Sequence, residues 1–215
     1  EKNNTIGTLN MLKCAHDAKV KRFVYSASSS AYGNIKELPC KESNPVNLLS
    51  PYAAQKYYGE LYCAMFSSIY SLETVSLRYF NIYGERQKID GAYAAVMGIF
   101  ASQVINNQPM TIRGNGEQRR DFICVDDVVS ANILSMHSKK VGNGEVINIG
   151  TGKNYSVNEI ADMIGGKKTN IDPVIEPQES LACIDKAKEL LNWEPKTELE
   201  DWMKKYKKNL GIGDE

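Results

Sequence analysis

Apolar side chains recur at Ile6, Leu9, Leu12 and Ala15, a spacing that predicts an amphipathic helix over residues 4–18. The run Lys21-Arg22-Phe23-Val24-Tyr25 then reads as a short buried strand leading into the polar stretch Ser26-Ala27-Ser28-Ser29-Ser30. After a polar, proline-bearing loop, Ser50-Pro51 announces a second helix. The serine hydroxyl can accept a free amide of the first turn, and the proline stands where no N–H is needed. That helix should reach about residue 70, and Thr74-Val75-Ser76-Leu77-Arg78-Tyr79-Phe80 reads as the next strand. Helix, strand, helix, strand with short joins is the rhythm of a parallel α/β sheet. Such sheets take ligands beyond the carboxyl ends of their strands. Here those ends are Ser28, Ser29 and Ser30 on one strand and residues 81–84 on the other, both polar.

Beyond residue 86 the pattern is mixed. Residues 94–105 look helical, Met110-Thr111-Ile112-Arg113 looks like a strand, and Gly114-Asn115-Gly116 like a tight turn. Asp126 or Asp127 can cap a helix running to about residue 137, and residues 145–149 form another buried strand. Ser156-Val157-Asn158-Glu159 and Thr197-Glu198-Leu199-Glu200 both fit the box of reciprocal bonds that opens a helix. No internal repeat, low-complexity tract or long linker interrupts the 215 residues.

Composition narrows the function classes. Lys plus Arg and Asp plus Glu each number 26, so the formal net charge is zero. That balance argues against a protein built to grip nucleic acid, and Lys204-Lys205-Tyr206-Lys207-Lys208 reads as the solvated face of a last helix. No apolar stretch approaches the ~20 residues of a membrane helix. Cys14, Cys40, Cys63, Cys124 and Cys183 are odd in number and widely spaced, and His16 and His137 lie near none of them at a zinc-like interval. Reduced thiols in a cytoplasmic protein without a metal site are expected. The start, Glu1-Lys2-Asn3-Asn4, carries neither a hydrophobic signal core nor an initiator Met, so the chain is expected to begin inside a longer one.

Tyr52 and Lys56 lie four apart on the second helix and so point the same way. A free phenol is a poor base at neutral pH, but a cation held alongside favours the phenolate. With a hydroxyl donor from a strand end, such a pair could relay a proton to a sugar or alcohol oxygen. The spacing alone decides nothing. Tyr32 and Lys36 repeat it in a loop beside Gly33 and Pro39, which cannot fix the geometry. Only the first pair opens a helix directly after a strand and loop.

The segments Phe23-Val24-Tyr25-Ser26-Ala27-Ser28-Ser29-Ser30-Ala31-Tyr32-Gly33, Ser50-Pro51-Tyr52-Ala53-Ala54-Gln55-Lys56 and Leu77-Arg78-Tyr79-Phe80-Asn81-Ile82-Tyr83-Gly84 resemble the extended short-chain dehydrogenase/reductase family. Within it, they resemble the nucleotide-sugar epimerase/dehydratase branch. Residues 120–128, 146–150 and 188–196 continue the likeness in order, over nearly the whole chain. The resemblance implies an α/β fold: the C-terminal part of a Rossmann-type parallel sheet plus a smaller mixed α/β substrate-binding domain. Residues 1–86 and 120–150 would form the partial NAD-binding part, and 87–119 and 151–215 the nucleotide-sugar-binding region. It implies a tightly held NAD, with Tyr52 as the proton-transferring base and Lys56 favouring its phenolate while contacting the nicotinamide ribose. Ser28, with Ser29 as alternate, would hydrogen-bond the reacting oxygen. Ser26, Ala27 and Tyr79 would also border the cofactor, and Phe80 would lie beside the nicotinamide. Ser28, Asn81, Ala95, Val96, Arg113 and Arg120 would hold the sugar nucleotide, and a guanidinium at Arg120 suits a diphosphate as a bidentate, permanently charged donor.

The 4,6-dehydratases of this family place Asp-Glu after the reacting Ser/Thr, and the decarboxylases keep the Glu. Here those positions are Ser29 and Ser30. The simplest chemistry remains, oxidation and re-reduction at one carbon. Ser28-Ser29-Ser30 ahead of Tyr32-Gly33 resembles the 4-epimerases of UDP-N-acetylhexosamines and related UDP-hexoses, which makes a 4-epimerase acting at C4 the leading expectation. A dehydratase or decarboxylase of the same family, or a non-catalytic sugar-nucleotide-binding module, are the alternatives. The expected partner is a UDP-sugar, with a homodimer if full length and no membrane or nucleic acid.

Two departures stand out. None of the 16 glycines forms the GxxGxxG or GxGxxG pattern that brings a pyrophosphate onto a helix N-terminus. Gly150-Thr151-Gly152 follows a strand but reads as a turn. No acidic residue is placed to hold the adenosine ribose, and the strand near Phe23 is expected to expose an unpaired edge. Near residues 173–177, where relatives usually carry an Arg-Pro-Gly-Asp or Arg-Pro-Gly-Glu segment, the Arg is Val174 or missing, and the later family Asp is Cys183.

Overall fold

A computed structural model describes residues 1–89, 95–174 and 176–213. In chain order its first elements are α1 (Gly7–Asp17), β1 (Arg22–Ser28), α2 (Pro51–Tyr70), β2 (Glu73–Tyr79) and β3 (Asn81–Tyr83). There follow α3 (Val96–Ile105), β4 (Met110–Arg113), β5 (Arg119–Arg120), β6 (Phe122–Cys124), α4 (Val125–His137) and β7 (Asn143–Ile149). The last are β8 (Tyr155–Ser156), α5 (Val157–Ile164), β9 (Lys168–Ile171), α6 (Asp185–Leu191) and α7 (Leu199–Leu210). A single wide turn, Lys2–Ile6, precedes α1.

Among the described residues β1, β2 and β7 form a parallel sheet in the order β1-β2-β7. Its register sets Ser28 opposite Tyr79 and Tyr79 opposite Ile149, so the three carboxyl ends finish at one level. Both faces are covered, as a parallel sheet requires. Leu12 of α1 and Cys63 and Phe66 of α2 pack with Tyr25 and Ala27 on one side. On the other, Val128 and Ala131 of α4 and Ala187 and Leu191 of α6 pack with Leu77, Ile147 and Trp193. β1 is the sheet's edge, as its sequence predicts.

The α2 start follows its sequence signal: the Ser50 hydroxyl accepts a bond from the Ala53 amide, and Pro51 opens the helix. Gly59 costs α2 about 1 kcal/mol of helix propensity relative to alanine. It also lets α2 lie against β1, since a Cβ there would fall 2.1 Å from the Tyr25 hydroxyl. Arg22 ties the other face. Its guanidinium donates to the carbonyls of Ser135, Met136 and Ser138 at the end of α4 and of Val141, and pairs with Glu73.

A second core gathers Tyr83, Phe100, Ile112, Ile160, Trp202 and Tyr206 from β3, α3, β4, α5 and α7. Here β3 pairs with β6 and β4 with β9, both parallel, while β5 and β8 are antiparallel.

Two expectations are corrected. Neither Asp126 nor Asp127 caps α4, which starts from Cys124 without a side-chain cap. Asp127 is buried and instead accepts the amides of Lys196 and Thr197. That diversion explains the second correction: Thr197 does not open α7, whose cap position is Glu198. The helix expected over 94–105 is seen as Val96–Ile105 with Ala95 at its cap, while Ala94 lies outside the described residues.

Candidate active site

The carboxyl ends of β1 and β2 open onto a cavity of about 290 Å³ lined by Ser28, Ser29, Ser30, Tyr52, Tyr79, Phe80, Asn81 and Arg120. Ser28 ends β1, and its hydroxyl accepts the Ser30 amide at 3.2 Å as the chain turns through Ser29–Tyr32. Tyr52 stands half-exposed in the first turn of α2. Lys56, one turn on, is partly buried with its ammonium 4.8 Å from the centre of the Tyr25 ring. Burial pushes its pKa below the ordinary lysine value, and the charge of Glu60 opposes that. Phe80 is buried beneath the opening, while the Tyr79 hydroxyl donates to Asn132. Ser26 is exposed on the sheet and hydrogen-bonds the Tyr79 hydroxyl at 3.4 Å. Ala27 departs from the rest: its side chain is packed in the core under α1 and α2.

A second cavity, of about 550 Å³, is lined by Asn81, Ala95, Val96, Arg113 and Arg120, the five sugar-nucleotide residues expected beyond Ser28. Asn81 and Arg120 border both cavities, which makes them neighbours. The Asn81 amide donates to the Asp121 carbonyl at 3.0 Å. The Arg120 guanidinium pairs with Glu176 at 2.5 Å. Asp121, buried beside it, accepts the amides of Thr151, Gly152 and Ala182 and the Thr151 hydroxyl. It thereby pins the Gly150-Thr151-Gly152 turn and the 180–182 segment against β6.

Residues 1–150 match the family described as NAD dependent epimerase/dehydratase. The chain belongs to this family. A putative UDP-glucose 4-epimerase of Methanocaldococcus jannaschii is 37% identical over 209 residues, which cover 94% of this chain and 67% of that protein. Among solved structures, the UDP-glucose 4-epimerase of Thermotoga maritima with UDP-glucose superposes with a TM-score of 0.90 at 37% identity, over 97% of this chain and 70% of that one. The UDP-glucuronic acid 4-epimerase of Bacillus cereus, in complex with UDP-glucuronic acid and NAD, gives 0.89 at 31%, over 97% and 67%. The chain thus spans about two thirds of the length of these epimerase/dehydratase relatives.

Several lining residues of this family member escaped the sequence reading. Cys40, Pro177, Glu179 and Ser180 border the first cavity, and Phe100, Thr111, Gln118 and Glu176 the second. Those at 176–180 lie in an irregular segment with no hydrophobic period to place them. Only the departure noted around residues 173–177 pointed there. Among the described residues no group of three or more His, Cys, Asp or Glu side chains is placed to hold a metal ion.

Proposed function

We propose that the protein is an NAD-dependent 4-epimerase of UDP-hexoses or UDP-N-acetylhexosamines. The observation that supports it most is the joining of the Ser28–Tyr52–Phe80 wall to the larger cavity through Asn81 and Arg120. A sugar in the first cavity would be tethered by its diphosphate in the second. Arg120 and Arg113 supply the positive charge there, Arg120 exchanging Glu176 for phosphate oxygens. In the first, Tyr52 takes the proton from the sugar O4 while Ser28 hydrogen-bonds that oxygen. NAD, when bound, would supply reversible hydride acceptance at C4. Tyr52 then gives the proton back to O4. The open first turn of α2 and Phe80 suit the nicotinamide end of that cofactor, while the pyrophosphate needs a glycine-rich turn that these 215 residues do not contain.

Residues 1–86 and 120–150 are proposed as the cofactor side and 87–119 and 151–215 as the sugar-nucleotide side. Ser29 and Ser30 bring no carboxylate to the reacting carbon, which favours epimerisation over dehydration or decarboxylation. Among the described residues no helix is long and apolar enough to cross a membrane. All five cysteines are free, which fits a reducing cytoplasm. A homodimer through the exposed face of α2 completes the reading.

The natural gene product, supplied with NAD, is expected to interconvert C4-epimeric UDP-sugars, followed by chromatography. Tyr52→Phe should cut turnover by at least ~100-fold, and near-normal turnover in that variant would remove Tyr52 from its role. The alternative reading is a non-catalytic sugar-nucleotide-binding module. Calorimetry showing UDP-sugar binding without NAD binding would select it.

A further inference from the structure

Behind the first cavity lies a charge pair that the mechanism does not use. Arg78 of β2 and Glu60 of α2 are each only 3% exposed and share two hydrogen bonds, Nε to Oε1 at 2.9 Å and Nη2 to Oε2 at 2.7 Å. Taking two charges out of water is expensive, and apolar residues of the same volume often serve a core as well. What the pair touches is therefore informative. The Arg78 guanidinium lies 4.7 Å from the centre of the Tyr32 ring, at the end of the turn that begins with Ser29. Tyr32 in turn donates to Asn148 of β7 at 2.7 Å. Glu60 stands one helical turn beyond Lys56 and two beyond Tyr52, on the same side of α2.

Lys56 forms no ion pair among the described residues. The titratable groups facing it are Tyr25 from β1 and Glu60 and Cys63 from its own helix, with Arg78 of β2 reaching it only through Glu60. Burial pushes both the Tyr25 phenol and the Cys63 thiol up to about 12, so both are neutral at physiological pH. Glu60 is left as the anion that offsets the desolvation of Lys56.

We propose that Glu60, held in place by Arg78, is a positioning residue that keeps Lys56 an ammonium one helical turn from Tyr52. The inference rests on the reading of Lys56 as the partner of Tyr52. Competitive acetylation of Lys56 with acetic anhydride across pH, read by peptide mass spectrometry on the 215-residue chain, tests it. Glu60→Gln should lower the labelling midpoint of Lys56 by about one pH unit, roughly a tenfold change in ammonium-to-amine ratio, and Glu60→Asp should restore part of it. Because Glu60→Gln leaves Arg78 buried without a counter-ion, the double variant Glu60→Met with Arg78→Met is measured alongside, its fold checked by circular dichroism. It should show a smaller shift in the same downward direction, because the more distant Arg78 charge leaves together with that of Glu60. An unshifted midpoint in either folded variant overturns the proposal, and loss of fold in both overturns it as well, since the pair would then be structural. The labelling needs neither NAD nor UDP-sugar. An inactive protein with a shifted Lys56 would sink the epimerase reading alone, and an active one with an unshifted Lys56 would sink only this proposal.

Discussion

Ser156 and Glu159 exchange two hydrogen bonds where α5 begins: the Ser156 amide donates to the glutamate at 2.6 Å, and the Glu159 amide to the serine hydroxyl at 3.0 Å. The Ser156 amide, with Arg119 also 2.9 Å away, holds the Glu159 carboxyl below the usual glutamate range. A depressed folded pKa contributes stability above the unfolded value of ~4.3, lost as pH falls through the folded one. With its side chain 47% exposed, Glu159→Ala should cost only about 0.5 kcal/mol at pH 7, and the cost should shrink towards pH 3. Urea titrations at the two pH values check this; a cost that does not change with pH would put the effect in packing instead. This box was legible from four letters. The same pattern at Thr197 was not realised, because Asp127, some seventy residues away in sequence, takes the Thr197 amide.

At the scale of elements, α4 ends where Arg22 of β1 begins. One guanidinium satisfies three carbonyls left unpaired around the last turn of the helix and sits at the negative end of its dipole. Arg22→Ala should destabilise the chain by about 2–3 kcal/mol, the range for bonds from a charged group with partners left unsatisfied. Arg22→Lys should recover little, since a point charge cannot reproduce the planar fork. Thermal unfolding of both variants measures it, and a lysine variant as stable as wild type would show that charge alone suffices. Sequence periodicity had already placed β1 and α4, but a guanidinium spanning more than a hundred residues of chain carries no local signal.

For the whole molecule, α2 divides its apolar residues. Phe66 is buried against the sheet, while Leu61, Met65 and Ile69 are 42%, 49% and 64% exposed. By helical spacing alone all four are equally compatible with core packing. An exposed apolar face on the helix that carries Tyr52 is the surface proposed for the homodimer. Leu61→Glu with Met65→Glu should convert the natural protein to monomers in analytical ultracentrifugation without loss of helix content. A wild type already monomeric at micromolar concentration would remove the dimer from the reading.

Local chemistry was enough to determine α1, β1, α2 and β2, because a 3.6-residue period, a Ser-Pro start and a short apolar run each depend on near neighbours. It also named the polar strand ends and the Tyr52–Lys56 pair. Tertiary structure decided what must be gathered from distant parts of the chain. It set Asn81 and Arg120 between two cavities, sent Ala27 into the core, brought Glu179 and Ser180 over the strand ends and set Glu176 against Arg120. It also buried Glu60 against Arg78. Each is a desolvated or long-range contact, whose energy depends on what else is packed there rather than on adjacent residues.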